Sequence, residues 1–305
     1  MPRFTSSISR SARLWLGLVA VAGAASCIEW DRSTTTETRD VRLFITHVQT
    51  LSATPAVFNP GTPPTGGTGP LVTASVPQLV LRGGAVVVTF TSDVPFSRVV
   101  VSVQGVPGYF DLTFEQEATT QQALIAYAQD VGAPSFTMHY AGVAGDVGPF
   151  QATNTAFLGN GTGDVQVNLT WNTPADVDLY VVDPFGEEYF YNHRGGSGER
   201  LSEESGPVFS ATSGGILDID SNAGCATDGP RAENIFWPQG VSPPPGRYTV
   251  RVNYWANCEA LFTDYVVTIR VRGQVPQTYT GRFSGAGVGG ATGAGLRIGD
   301  FTVTR

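Results

Sequence analysis

The sequence predicts an all-β protein built as two tandem β-sandwiches behind an exported N-terminal leader. Three observations carry that expectation. Runs rich in Val, Thr and aromatic residues alternate with clusters of Gly, Pro, Asn and Asp along the whole body of the chain. No fifteen-residue window sustains a helical apolar period. The turn spacing is short and regular, which suits sandwiches of the immunoglobulin-like or jelly-roll type.

Taken in order, residues 1–26 read as a signal peptide. Arg3, Arg10 and Arg13 form a positive start with no acid, and an apolar run follows from Leu14 to Ala25. That run is too short to span a bilayer, which needs about 20 residues. The small residues Ala24, Ala25 and Ser26 then lead into Cys27. The stretch Ala-Ala-Ser-Cys resembles the bacterial lipoprotein signal, in which the Cys becomes the lipidated N-terminus, although Ala24 stands where Leu is usual. Residues 27–39 are then the lipid anchor and a polar, Thr-rich stalk.

The body divides near Gly159–Gly163. Residues 40–158 are read as an N-terminal immunoglobulin-like sandwich and residues 164–305 as a C-terminal one, each an ordinary domain size. In the first, Ala85–Thr91 and Arg98–Val103 read as strands. Gln121–Gln129 reads as strand or helix, and the Pro- and Gly-rich segment 54–70 as loop. In the second, strands are expected at Val165–Trp171, Val177–Asp183, Arg247–Trp255 and Tyr265–Val271. The segment 284–295, half Gly and uncharged, reads as a mobile excursion before a short last strand.

The 305 residues carry a formal charge of −8 and contain no Lys. Loss of the leader removes three Arg and no acid, so the mature chain is more acidic still. That argues against nucleic acid and against charge-driven binding to anionic lipid. There are three Cys. Cys225 and Cys258 can pair in an oxidising compartment, and a loop of that size contributes about 3–4 kcal/mol in the chain-entropy model. Cys27 is then left for the lipid.

The second half holds the densest motifs. Asn168-Leu169-Thr170-Trp171-Asn172 is followed by the run from Ala175 to Glu187, which contains Asp-Val-Asp-Leu-Tyr-Val-Val-Asp-Pro-Phe-Gly. Tyr189 to His193, Gly214 to Asn222, Gly229-Pro230 with Glu233-Asn234-Ile235, and Pro245 to Val252 come next. This order resembles the YfaP-type family of exported bacterial domains, and the Asp-Val-Asp-Leu-Tyr-Val stretch is similar to pre-peptidase C-terminal β-sandwich modules of secreted proteases. The resemblance covers about 120 residues. It implies a β-sandwich and an extracytoplasmic location, and it brings no activity.

Two groups of residues are candidates for binding. Asp176 and Asp178 share one strand face, with Val177, Leu179 and Val181 on the core side. Asp218 and Asp220 are expected to repeat that geometry with Ile219 inward, followed by Asn222, and Glu233 offers a further oxygen. Such a set suits a hard cation such as Ca²⁺. The competing reading is a solvated acidic face with an Asp-Pro-Phe-Gly turn at Asp183. The aromatic group Tyr189, Tyr191 and Trp237 with His193 suits a ligand face for sugar or peptide, or equally a sandwich core. No His-Glu-x-x-His, Gly-x-Ser-x-Gly or nucleotide-binding pattern is present. The three His residues read as structural. Glu187 with Glu188, and Glu203 with Glu204, are adjacent acids that face opposite ways on a strand and so make poor glycosidase pairs.

The expectation is therefore a lipid-anchored envelope protein, not an enzyme, without cofactor other than a candidate Ca²⁺. It would bind or display toward an extracellular polysaccharide, a protein or an envelope component. Ile28 after Cys27 favours the outer membrane over another periplasm-facing surface. An accessory role beside a secreted hydrolase and a purely structural scaffold are the alternatives.

Overall fold

The computed structural model describes residues 39–195 and 214–304. The segment expected to be a signal peptide, Cys27, nearly all of the expected stalk and the Glu203–Glu204 pair lie outside the described residues. From Arg39 onward the chain forms one compact, all-β unit. Among the described residues no helix is long and apolar enough to cross a membrane.

The N-terminal half contains β1 (Ile45–Thr50), β2 (Val57–Asn59), β3 (Val72–Ser75), β4 (Leu79–Val80), β5 (Ala85–Val103), β6 (Tyr109–Tyr127), β7 (Ser135–Ala144), β8 (Asp146–Val147) and β9 (Gln151–Phe157). They belong to one sheet, ordered β1-β6-β5-β7-β9-β4, with β2, β3 and β8 attached at its sides. The two runs read from the sequence as separate strands, Ala85–Thr91 and Arg98–Val103, are the two ends of the 19-residue β5. Its first end pairs with residues 120–126 of β6 and its second with residues 109–113. Between them the register shifts around Phe96. The inward residues change parity across that shift, from Val86, Val88 and Phe90 to Val99, Val101 and Val103, and all six enter one core. A bulge thus folds the sheet over onto itself and makes a sandwich from a continuous hairpin. Gln121–Gln129, readable as helix or strand, lies mostly in β6. The 54–70 loop contributes only the three residues of β2.

The C-terminal half contains β10 (Gly163–Trp171), β11 (Asp176–Val182), β12 (Glu188–Tyr189), β13 (Ile216–Asp220), β14 (Ala232–Pro238), β15 (Gly246–Ala256), β16 (Phe262–Val271), β17 (Gln277–Ser284) and β18 (Leu296–Val303). Two antiparallel sheets, β13-β14-β10-β16-β17 and β12-β11-β15-β18, face each other. Val165, Val167 and Leu169 from one sheet and Val177, Leu179 and Val181 from the other share a core, all without exposure. Full burial of each such aliphatic contributes about 1.5–3 kcal/mol. The excursion 284–295 is not free. Gly289 and Gly290 accept hydrogen bonds from Asn253 Nδ2 (2.8 Å) and Tyr191 Oη (2.6 Å), and Gly293 N donates to Glu188 Oε2 at 2.9 Å. A Cβ on Gly290 would fall 2.3 Å from Asn253 Nδ2, so glycine is what lets this segment lie flat on the sheet.

The divide read at Gly159–Gly163 falls between β9 and β10, and the halves on either side are fused by a polar seam. Gln166 Nε2 donates to Arg82 O at 2.9 Å, and Asn160 accepts from Arg82 N at 2.9 Å. Thr170 Oγ1 donates to Ala85 O at 2.8 Å. Arg270 donates to Gly83 O and Tyr127 O at 2.5 and 2.9 Å. Gly83 has φ +77°, and a Cβ there would meet Gln166 Oε1 at 2.3 Å. Ala85, Leu124 and Ala126 pack against Val266 beside the seam.

Candidate functional site

The site begins with the strand pattern of β11. Its odd-numbered residues fill the core, which leaves Asp176, Asp178 and Tyr180 on the other side. These three are nonetheless buried, because the 284–295 segment and residues 188–193 cover that face. Asn253, directly across from Asp178 on β15, donates to Asp178 Oδ2 at 3.3 Å. Asp176 Oδ2 accepts from Gly224 N at 2.6 Å. The Ala223–Cys225 turn that supplies this donor is tied to the end of β15 by the Cys225–Cys258 disulfide.

Glu233 arrives from the opposite sheet. On β14 it has no exposure, and its Oε2 accepts from Leu179 N of β11 at 2.7 Å. That N–H lies on an edge that β12 leaves unpaired, since β12 meets only Val181 and Val182. One carboxylate thus stitches two sheets that share no strand pairing at this point. Asp220, at the end of β13, completes the group and is paired with Arg194 Nη1 at 3.1 Å. One oxygen from each of Asp178, Asp220 and Glu233 lies within 4.8 Å of the others.

The electrostatics follow from crowding acids where water is scarce. Burial, reinforced by Asp220, pushes Asp176 up to about 6 against the pull of Gly224 N–H. Burial, with Asp176 and Asp220 adding to it, pushes Asp178 up to about 7. Burial first, then Asp178 and Asp220, raises Glu233 well above the ordinary carboxyl range. As anions they have a deficit of donors: Asp176 Oδ1, Asp220 Oδ1 and Glu233 Oε1 are buried and meet none. Chemically, the group can hold protons or a cation.

Other residues expected here go elsewhere. Asp218 does not share a face with Asp220, because the β13–β14 register shifts between Leu217 and Ile219. The bulge turns Asp218 to the seam, where it accepts from Asn234 Nδ2 (2.6 Å) and Gly161 N (2.5 Å), and it leaves Ile219 only half-buried rather than in the core. Asn222 sits in a left-handed backbone at φ 62°, and its Nδ2 donates to Pro174 O and Ala175 O, so it fastens the approach to β11. Asp183 accepts from Phe185 N and Glu187 N, the turn anticipated from Asp-Pro-Phe-Gly.

The aromatic ligand face is corrected in two of its members. Tyr189 and Trp237 have no exposure; they meet edge to face at 5.3 Å inside the C-terminal core, on the inward side of their strands. Tyr191 is half-buried and holds Gly290. His193 stacks on Tyr189, and its Nδ1 lies 2.7 Å from Glu188 O. Arg194, Asn253 and the Gly224 N–H were missed as participants. Asn253 had one signal, its place on the polar side of the alternating Arg247–Trp255 run.

A second concave feature lies along the seam. A cleft of about 870 Å³ is lined by Leu79 and Val87 of the N-terminal half and by Trp171, Asp264, Tyr265 and Arg282 of the C-terminal half.

No family model matches the chain, and no curated protein matches it. Among solved structures it is similar to a chain from the structure described as the Enterococcus faecalis MSCRAMM ACE binding its ligands by the collagen hug model. The identity is 7%, the alignment covers 74% of this chain and 97% of that one, and the TM-score is 0.16, too low to bear on fold or function.

Proposed function

We propose that this is a non-catalytic protein of the bacterial envelope, lipid-anchored through Cys27, whose fused pair of sandwiches binds or displays toward a polysaccharide, a protein or an envelope component. The C-terminal half is assigned in this reading to the YfaP-type exported domains. The observation that carries the binding role is the cleft along the seam. It is large enough for an oligosaccharide or peptide, is lined by both apolar and charged side chains, and lies along the seam where the two sandwich halves meet, a junction of the kind that favours ligand sites. The disulfide supports an oxidising compartment.

Anchoring is tested by intact-mass spectrometry of the protein from its native membrane fraction beside Cys27→Ala. The reading expects an acylated N-terminus at Cys27 and release of the variant from the membrane. A photo-crosslinking residue at Leu79 on intact cells should label an envelope glycan or protein. The same residue at Phe185, which is exposed and outside the cleft, should not. An unmodified soluble protein removes the anchor, and equal labelling at both positions removes the cleft.

A further inference from the structure

We propose that Asp176, Asp178, Asp220 and Glu233 form a Ca²⁺ site that clamps the two sheets of the C-terminal sandwich together.

The donors fit a hard cation. All four are carboxylates, of which Asp178, Asp220 and Glu233 bring their oxygens together and Asp176 stands beside Asp178 on β11; neither Cys nor His belongs to the group, which argues against Zn²⁺. Ca–O distances of about 2.3–2.6 Å let opposite ligands stand about 5 Å apart, whereas Mg²⁺ at about 2.0–2.1 Å draws them to about 4 Å. Oxygens of Asp178, Asp220 and Glu233 within 4.8 Å of one another are close enough to share one such ion, and the preference for Ca²⁺ rests on its tolerance of irregular all-carboxylate sites.

Acid crowding alone does not make a site, and the second observation is the state of Glu233. Its side chain has no exposure, one oxygen is held by Leu179 N, and the other meets no donor while sitting among other acids. Asp176 is built the same way, with one oxygen on Gly224 N and one buried without a donor. In each case a backbone N–H fixes the carboxylate and leaves its second oxygen for a ligand. Among the described residues, Arg194 on Asp220 is the guanidinium that meets this group, and it leaves most of the negative charge uncompensated. Buried anions without counter-charge are costly, and a dication would supply it.

The position states the role. Asp176 and Asp178 come from β11 in one sheet, and Asp220 and Glu233 from β13 and β14 in the other. An ion held by all four would add a tie between sheets that here are joined by the Glu233–Leu179 hydrogen bond, by the Asn222 and Gly224 contacts to the start of β11, and by side-chain packing. This inference stands apart from the envelope reading, since it needs neither the lipid nor the cleft.

The test is calorimetric titration of CaCl₂ into the purified, EDTA-treated chain, with scanning calorimetry alongside. Saturable binding at one site per chain is expected, and Tm should rise by roughly 5–10 °C at about 100-fold excess over Kd. Glu233→Gln retains an acceptor for Leu179 N–H but loses the charge. It and the Asp178→Asn, Asp220→Asn double variant should lose the Ca²⁺ response while their metal-free Tm stays at or above that of the wild type. Asp146→Asn, on the exposed surface of the N-terminal half and outside both the group and the cleft, should keep the response. Tb³⁺ luminescence sensitised through Tyr191 and quenched by added Ca²⁺ gives a readout independent of stability. Absence of saturable heat and of any Tm shift up to about 10 mM Ca²⁺ overturns the proposal, as does an unchanged response in the charge-removing variants.

Discussion

Asp218 and Asp220 stand two residues apart on one strand and belong to opposite kinds of polar interior. At the seam, Asp218 is surrounded by donors: Gly161 N and Asn234 Nδ2 occupy its two oxygens, and Asn234 in turn accepts from Gln166 and Asn168 at 3.0 and 2.6 Å. In the acid group, Asp220 is surrounded mostly by acceptors, with Arg194 as its compensating contact. The difference teaches how to tell a structural carboxylate from a binding one. Burial and residue type are shared, and what separates them is whether the neighbourhood has enough N–H groups to satisfy the anion.

That contrast can be broken or sharpened by four measurements. The largest effect is expected at the disulfide. Cys225→Ala with Cys258→Ala frees the turn that presents Gly224 N to Asp176, and it should cost about 3–4 kcal/mol in denaturant unfolding. It should also weaken the acid group's hold on any cation while leaving the seam intact.

Asn234→Ala should come next, at about 2–3 kcal/mol, because it strips Asp218 of a donor and leaves the amides of Gln166 and Asn168 without their shared acceptor. A change within about 0.5 kcal/mol would mean the seam carries no stability.

The paired substitutions Asp218→Asn and Asp178→Asn separate the two regions by sign. The first turns an acceptor into a donor facing Gly161 N and Asn234 Nδ2, and should destabilise by about 1–2 kcal/mol. The second removes a charge from a crowd of like charges. It should leave the metal-free protein unchanged or more stable at pH 8, as read by Tm.

The smallest effect is in the pH profile of the EDTA-treated protein. Asp176 and Asp178 have folded-state values of about 6 and about 7, above the unfolded value of about 3.9. The folded state therefore holds more protons between those limits. Stability from these groups is fully present below about pH 4 and is lost as pH rises through about 7. Tm should fall across that window, and Asp178→Asn should flatten the fall. A flat wild-type profile would show that the acids are compensated by something other than protons.

Much of the fold was legible because a strand declares itself locally. The alternation of Tyr248, Val250, Val252 and Tyr254 placed β15, and the same parity put Val177, Leu179 and Val181 in the core with Asp176 and Asp178 opposite. The pairing of Cys225 with Cys258 was legible from their shared place in the C-terminal half of an exported-looking chain. The aromatic group was ambiguous for the opposite reason. Tyr189 and Trp237 suit a core as well as a ligand face, and only their neighbours could choose.

Composition, strand grammar and motif order by themselves determined an all-β body and the residues from which an acidic site could be assembled, since periodicity and residue type are properties of a single segment. Tertiary structure alone decided which acids meet. A one-residue register shift before Ile219 sends Asp218 to the seam and Asp220 to the cluster, and Glu233 crosses from one sheet to the unpaired edge of the other. Register and long-range reach depend on partners far away in the chain, so no local pattern could encode them. The fusion of the two halves was hidden for the same reason. Gln166, Thr170 and Arg270 look like ordinary outward-facing strand residues until the carbonyls of Arg82, Ala85 and Gly83 are brought against them.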